Sequence, residues 1–218
     1  MSQSLIETLP PAQRLALAYT PARMKPATMA LLALESRLAQ AVRQASEPIM
    51  GQMRLAWWRD QLSLPFQKRE NSDELMRALA AFEGEEDALC KLVDGWELLL
   101  SEWIDLAAIE QIIDNRAAGF AALARLAGKA DATDATMRAG RRFALADLAI
   151  KFSNAEERGQ VLEHAAADAD ERVALPGELR SLALLDGLAR RSLRRGGTPL
   201  LDGPGSALHA IRLGLFGR

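Results

Sequence analysis

Pairs of carboxylates one helical turn apart are the residues of this sequence that could hold a divalent cation. A helix brings side chains four residues apart onto one face, so their oxygens can converge on a hard ion such as Mg²⁺ that also bridges to phosphate. No aspartate is followed by another aspartate four residues later, and the mixed pairs are Glu70/Glu74, Glu83/Asp87 and Glu110/Asp114. The last pair lies in an isoleucine-rich stretch and could face inward, although a solvated stripe is the common alternative. Glu110, Asp114 and, further along, Asp147 are therefore weak acidic candidates.

Residues 48–64 combine two tryptophans with polar side chains at helical spacing. Two apolar stripes result, with Met50, Met53 and Trp57 on one side and Leu55, Trp58 and Leu62 on the other. Arg54 and Gln61 lie between the stripes, so neighbouring helices on both sides would hold them against aromatic walls. One interpretation is a ligand cavity lined by Arg54, Trp57, Trp58 and Gln61. The alternative is that Arg54 reaches water or pairs with a buried carboxylate, and that the tryptophans are ordinary core residues.

Nucleophilic and nucleotide-binding motifs are missing from the sequence. Cys90 is the single cysteine and lies in an apolar stretch typical of a core thiol. With His164 and His209 as the only histidines, the chain has too few soft ligands for a zinc or iron–sulfur site. No Gly-x-Ser-x-Gly, glycine-rich phosphate loop or dinucleotide fingerprint occurs. We therefore predict no catalytic residue, no bound metal and no cofactor, with Mg²⁺ only if the acidic pairs act as ligands.

Helices alone are expected to position these residues. Hydrophobic residues make up 49% of the 218 positions and aromatic residues only 5%, with apolar spacings of three and four throughout. Proline and glycine mark the breaks and predict nine or ten helices, at about 12–19, 26–42, 49–64, 75–82, 85–104, 105–126, 133–152, 154–167, 176–195 and 204–217. Because the loops are short and no fixed-period repeat occurs, we predict an all-α bundle with one domain over residues 1–218.

Charge and the N-terminal sequence indicate the class and location of the protein. Lys and Arg total 27 and Asp and Glu total 29, and this balance argues against general nucleic-acid binding. The N-terminus lacks a charged lead before a long apolar stretch, and no apolar run reaches the roughly 18 residues that span a bilayer. We therefore expect a cytoplasmic protein, which also suits a chain with one cysteine.

The C-terminal region is basic. Its arginines outnumber the one acid, Asp202, and they are Arg190, Arg191, Arg194, Arg195, Arg212 and Arg218. Residues 196–218 are expected to form a loop and a short helix with an apolar stripe of Leu208, Ile211 and Leu215. This helix could dock on an anionic membrane surface, which would make the protein membrane-associated. Alternatively, the arginines complement a helix C-terminus and the last helix packs on the body.

The most specific pattern of the sequence lies within residues 30–62. Leu31-Leu-Ala-Leu-Glu-Ser-Arg-Leu-Ala-Gln40 is followed by Gly51-Gln-Met-Arg-Leu-Ala-Trp-Trp-Arg59. This segment resembles the squalene/phytoene synthase family. Weaker similarity continues through 116–128 and 140–147, and the whole resemblance covers residues 10–195. It implies an all-α isoprenoid-synthase bundle around a central cavity.

The resemblance also implies where a metal site would lie. In active members of the family, two Asp-rich motifs on facing helices hold Mg²⁺ and the diphosphates of two prenyl chains. The first motif falls on this chain where Ala39, Gln40 and Arg43 replace the acids, and Ser36 replaces a diphosphate-binding arginine. Alanine and glutamine cannot replace carboxylates, and Arg43 would repel a cation. The second motif falls near 147–158, which holds Asp147, Glu156 and Glu157 but no Asp-x-x-x-Asp.

The Leu38-Ala39-Gln40 signature resembles the branch of the family that includes a respiratory complex I assembly factor. That branch retains the fold and lacks the acids. By analogy we expect a non-catalytic adaptor or assembly-factor-like protein that binds a protein partner or an apolar, isoprenoid-like ligand, with Gln40 added to the cavity candidates. The alternative is a head-to-head prenyltransferase that condenses two prenyl diphosphates at an atypical Mg²⁺ site, built from Glu110/Asp114 and Glu156/Glu157.

Overall fold

The computed structural model describes residues 3–70, 73–152, 154–166, 171–203, 205 and 212–214. This part of the chain contains α-helices and short 3-10 turns and no strand, which confirms the all-α prediction. The helices are α1 (Gln3–Glu7), α2 (Pro11–Ala18), α3 (Lys25–Arg43), α4 (Pro48–Ser63), α5 (Glu74–Ala78), α6 (Glu86–Glu97), α7 (Leu106–Leu126), α8 (Thr133–Lys151), α9 (Ala155–Ala166) and α10 (Arg180–Arg194). No described helix has the length and apolarity that crossing a bilayer requires.

Prolines mark three of the helix starts, as the sequence predicts. Pro11, Pro26 and Pro48 each lie in the first turn of their helix, where a missing N–H costs no intrahelical hydrogen bond. Gly128 follows the C-cap of α7 and has a φ of +73°, a conformation that glycine adopts freely. The predicted final helix at 204–217 lies mostly outside the described residues.

The predicted helix at 85–104 is wrong at its C-terminal end. α6 ends at Glu97, a 3-10 turn covers Leu98–Leu100, and residues 101–105 are not helical. The Asp105 side chain accepts a hydrogen bond of 2.8 Å from the backbone N–H of Ala108 and so caps α7. An N-cap residue has extended backbone, so the chain must leave the helical conformation before Asp105.

Three long helices form the centre of the bundle. α7 packs along α6 on one side and along α8 on the other, and α10 packs on α8. Gly140 permits a close approach of α7 and α8, because a Cβ there would lie 3.2 Å from the Cα of Ala117. Next to it, the rings of Phe120 and Phe143 meet edge to face with centroids 5.7 Å apart. α3 crosses this core and is buried along most of its length.

Candidate functional site

A pocket of about 430 Å³ lies beside α3, where the N-terminal segment, α6, α7 and α8 meet. α3 and the residue that follows it supply half of the lining residues, namely Glu35, Ser36, Arg37, Ala39, Gln40, Arg43 and Gln44. The rest of the wall comes from Thr8, Pro10, Gln13, Trp96, Arg116, Asp147 and Lys151. The structure therefore brings together the α3 positions and Asp147, which lie more than a hundred residues apart in the sequence.

Four charged side chains at the base of this pocket form one ion network, consisting of Glu35, Arg116, Asp147 and Lys151. The Arg116 guanidinium bridges the two carboxylates, because its Nη2 lies 2.9 Å from Glu35 Oε2 and 2.9 Å from Asp147 Oδ2. Lys151 Nζ lies 2.7 Å from Asp147 Oδ2, one turn along α8. Two cations thus balance two anions, and a carboxylate with several donors is held firmly in its charged form.

Trp96 on α6 completes the arrangement around the ion network. Its Nε1–H donates to Glu35 Oε2 over 3.1 Å. Its ring lies under both cations, with the Arg116 guanidinium carbon 4.4 Å and Lys151 Nζ 4.7 Å from the ring centroid. Such cation–π contacts are strongest away from water, and the Arg116 side chain is only 2% exposed.

The pKa values in the network show which interactions prevail. Burial raises the pKa of the Asp147 carboxyl, but Arg116 and Lys151 outweigh burial and hold that pKa below its ordinary value. For Arg116, burial lowers the pKa, and the nearby carboxylates more than offset this effect. Lys151 differs, since burial lowers its pKa and Asp147 restores only part of the loss. The Asp147 carboxyl is therefore held as an anion, with Arg116 held as its counter-ion.

We expect the contribution of Asp147 to stability to disappear in acid. Because the carboxyl pKa is lower in the folded state, Asp147 stabilises the fold at pH values above its unfolded-state pKa of 3.8. This stabilisation is lost as the pH falls through the lower, folded-state pKa. Asp147→Asn should cost about 2 kcal/mol near neutral pH, because Lys151 and Arg116 lose an anion. Urea unfolding of both proteins across the acid range would measure the difference. A difference that stays constant below about pH 4 would contradict this assignment.

A second cavity, which we call the groove, lies between α3 and α4 and has a volume of about 530 Å³. Its lining residues are Arg37, Gln40, Ala41, Gln44, Met50, Met53, Arg54, Trp57 and Trp58. It shares Arg37, Gln40 and Gln44 with the pocket, so the two cavities adjoin. Four of the five cavity candidates thus come together in one place, namely Gln40, Arg54, Trp57 and Trp58.

The expectation that α4 has neighbours on both sides is wrong. Leu55, Trp58 and Leu62 are buried against the core, whereas Met50, Met53 and Trp57 are 44%, 63% and 39% exposed. No described helix covers the second stripe, so Arg54 lies at an open groove rather than between two packed walls. Trp57 meets Trp58 edge to face, with ring centroids 5.1 Å apart.

Gln61 and the acidic pair on α7 lie elsewhere. Gln61 is not in the groove, and its Oε1 accepts a hydrogen bond of 2.8 Å from the backbone N–H of Glu70. The expectation that Glu110 and Asp114 could face inward is also wrong, because their side chains are 41% and 52% exposed. Both carboxylates bind Arg141 of α8, and Glu110 also lies 2.7 Å from His164 Nε2. Their oxygens are therefore committed to neighbouring side chains.

The sequence model of the squalene/phytoene synthase family matches residues 13–162, from α2 into α9. The chain belongs to the squalene/phytoene synthase family. The match includes every residue of the ion network and of the groove. No curated protein and no solved structure matches the chain. The family assignment thus rests on the match to the family and agrees with the helical bundle.

The residues of this pocket do not fit the magnesium site expected of a squalene/phytoene synthase. Both carboxylates of the pocket, Glu35 and Asp147, already accept from Arg116, and Asp147 also binds Lys151. A divalent cation would have to displace these fixed cations, and Arg43 at the pocket wall would repel it. Within the described residues, no three Asp, Glu, His or Cys side chains lie close enough together to hold a metal ion.

Sequence reasoning missed most of the ion network. Glu35, Trp96, Arg116 and Lys151 are not among the predicted site residues, although Glu35 and Arg116 are only 2% and 1% exposed. A signal exists for Glu35, since it is the single acidic residue in the largely apolar run Leu31–Leu38. Buried charges require partners, so a charge within an apolar run predicts an ion pair even when its partner is unknown.

Proposed function

We propose that this chain is a non-catalytic member of the squalene/phytoene synthase family that acts as an adaptor, as in the assembly-factor branch. The observation that supports the proposal most is the Arg116 guanidinium between Glu35 and Asp147. Both carboxylates at the base of the pocket are thus bound by a cation of the chain itself, whereas an active member needs carboxylates that are free to bind Mg²⁺. The positive charge at the base of the pocket is thus supplied by the chain and balanced by its own carboxylates.

Prenyl transfer requires positive charge in the site that can stabilise the leaving diphosphate. An allylic diphosphate ionises only when its developing negative charge is stabilised in the transition state. In this pocket Arg116 and Lys151 are bound to Glu35 and Asp147, so their charge is largely cancelled before any substrate arrives. Releasing Arg116 would leave the buried Glu35 carboxylate without a cation. These costs oppose the binding of a diphosphate at the base of the pocket.

The size of the pocket supports the same conclusion. Head-to-head condensation needs room for two prenyl diphosphates at once. The pocket measures about 430 Å³, close to the lower end of the range for sites that hold one drug-sized ligand. The open groove adds volume, but Met53 on its wall is 63% exposed, so it would leave much of a prenyl chain in water.

The adaptor role includes a protein partner or an apolar ligand, a cytoplasmic location and no nucleic acid. The balanced charge of the chain, 27 basic against 29 acidic residues, supports the last point. The proposal also includes a contact of the basic C-terminal helix with an anionic membrane surface. Most of that helix lies outside the described residues, so this part rests on Arg212, Arg218 and the apolar stripe in the sequence.

A turnover assay tests the proposal directly. The full chain should be incubated with farnesyl or geranylgeranyl diphosphate and Mg²⁺, with an active squalene synthase in parallel. We expect no diphosphate release and no hydrocarbon product above a protein-free blank, because the pocket carboxylates are held by Arg116 and Lys151. Magnesium-dependent product would contradict the proposal and support the alternative, head-to-head prenyl transfer. In that event, Asp114→Ala would show whether the atypical acidic pair takes part.

A further inference from the structure

Exposed apolar side chains of this chain concentrate in two segments. The described part of the chain exposes seven large hydrophobic side chains, and six of them lie on α4, in the segment before α7 or at the first residue of α7. These six are Ile49, Met50, Met53, Trp57, Trp103 and Leu106. Trp103 is 87% exposed, an unusual position for so large an aromatic ring. Contiguous apolar surface of this kind marks an interaction site.

The start of α4 and the segment before α7 are close to each other. A Cβ on Gly51 would lie 2.7 Å from Cδ1 of Leu100, so the start of α4 touches the turn at the end of α6. Trp103 follows Leu100 by three residues, which places it at most about 11 Å further along an extended chain. We call residues 101–106 the Trp103 loop. The Trp103 loop therefore begins close to the first turn of α4, the helix that also forms one wall of the groove.

The groove and the Trp103 loop carry opposite charge. Arg37 and Arg54 line the groove, and no carboxylate does. Arg54 has no ion pair within the described residues, whereas Arg37 lies 3.0 Å from Asp73. The Trp103 loop has the reverse character, because Glu102 and Asp105 flank its apolar residues and no cation is present. A basic apolar groove and an acidic apolar loop are complementary surfaces.

We propose that the groove binds the Trp103 loop of a second copy of this chain, and that the exchange is reciprocal. Two complementary patches of one chain can satisfy each other about a two-fold axis, which gives a closed isologous dimer. Met50 and Met53 supply an adaptable wall for an aromatic ring, and a buried tryptophan is a frequent anchor of interfaces. The dimer would cover the exposed face of α4.

Two other occupants suit the groove less well. A small apolar ligand needs a site that buries most of its surface, whereas Met53 and Met50 leave this groove open. An anionic membrane would be repelled by Glu102 and Asp105 beside the exposed Trp103. A second copy supplies both an aromatic side chain and carboxylates, and it meets both demands of the groove.

The dimer would also change the neighbouring pocket. Arg37, Gln40 and Gln44 form the boundary between the groove and the pocket. A Trp103 side chain of the second copy in the groove would lie against this boundary and close that side of the candidate site. The proposal does not depend on whether the chain is catalytic, and the turnover assay leaves it unaffected.

Sedimentation velocity of the full chain at increasing concentration tests the dimer. We expect a species of twice 23.8 kDa to form at concentrations on the order of 10–100 µM. Trp103→Ser and Met53→Ser should each weaken the dimer by about tenfold or more, because each removes a central apolar contact. Ile150→Ser is the matched control, since it also replaces an exposed apolar residue but lies on α8, outside both segments. Circular dichroism should show that each variant retains its helices.

Charge reversal gives the sharper test. Arg54→Glu and Glu102→Arg should each weaken the dimer, and the double variant should restore most of the lost affinity, because the charges are then exchanged. Three results would each overturn the proposal. These are a monomer throughout the concentration range, a dimer that Trp103→Ser and Met53→Ser leave unchanged, and a double variant no tighter than the single ones.

Discussion

Replacing Arg116 by methionine is expected to destabilise the protein by about 3–5 kcal/mol. The change leaves Glu35 buried with the Trp96 N–H as its remaining donor, and leaves Asp147 with Lys151 alone. Both carboxylates then face each other across a space that a guanidinium filled. Truncating one member of a buried ion network costs far more than the network contributes, because a charge remains without its partner. Urea unfolding at neutral pH measures the loss.

Two further variants separate this effect from a simple loss of packing. Arg141→Met removes an arginine that also bridges two carboxylates, Glu110 and Asp114, but at an exposed site where we expect no more than about 1 kcal/mol. Glu35→Gln combined with Arg116→Met keeps an acceptor for Trp96 and removes the isolated charge, so it should recover at least half of the loss. The assignment fails if Arg116→Met costs no more than Arg141→Met.

Local sequence signals predicted most of the helices. Pro11, Pro26 and Pro48 mark helix starts because proline fits only the first turn, and this rule holds whatever the helix packs against. Local rules were weaker where a helix ends without proline or glycine. The apolar spacing of Leu98–Leu100 continues the pattern of α6, yet the chain turns there so that Asp105 can cap α7.

The exposed stripe of α4 shows a limit of hydrophobic periodicity. The pattern establishes that Met50, Met53 and Trp57 share a face of the helix, and the structure agrees. It cannot establish that another element of the same chain covers this face. An apolar stripe needs a partner, and the partner can be a second molecule as well as a neighbouring helix.

The candidate site was predictable where the family resemblance supplied positions, and not where long-range pairing decided the outcome. Ser36, Ala39, Gln40 and Arg43 share one face of α3 and line one pocket, as the resemblance implies. The partner of Glu35 is Arg116, 81 residues away, and no spacing rule connects them. Only the packing of α3 against α7 brings the two side chains together, so sequence periodicity could suggest that Glu35 needs a cation without identifying it.

The ion network supplies internal counter-ions for the buried carboxylates of the pocket. A pocket in which Glu35 and Asp147 stood alone would repel itself and require bound cations from solution. Arg116 and Lys151 supply those cations from α7 and α8, so the bundle is electrically complete without a ligand. The same side chains that neutralise the buried carboxylates therefore also oppose the binding of a divalent cation there.

A second buried pair, Arg142 with Asp186, joins α8 to α10 and should respond differently to mutation. Arg142 Nε donates to Asp186 Oδ1 over 2.6 Å, and both side chains are at most 6% exposed. Burial raises the pKa of the Asp186 carboxyl above its ordinary value of 3.8, because Arg142 offsets only part of the effect. Arg142→Met should raise that pKa further, so that the buried carboxyl takes up a proton.

The cost of Arg142→Met is therefore expected to depend on pH. We expect a loss of about 3–5 kcal/mol near pH 8 and a clearly smaller loss near pH 5. Because the pKa of the Asp186 carboxyl is higher in the folded state, the full stability is present at pH values below the unfolded-state pKa. It is lost as the pH rises through the folded-state pKa. Urea unfolding at both pH values measures the loss, and Asp186→Asn combined with Arg142→Met, which removes the titrating group, should lose the pH dependence. An equal loss at both pH values in the single variant would show that Asp186 stays charged, and that another group neutralises it.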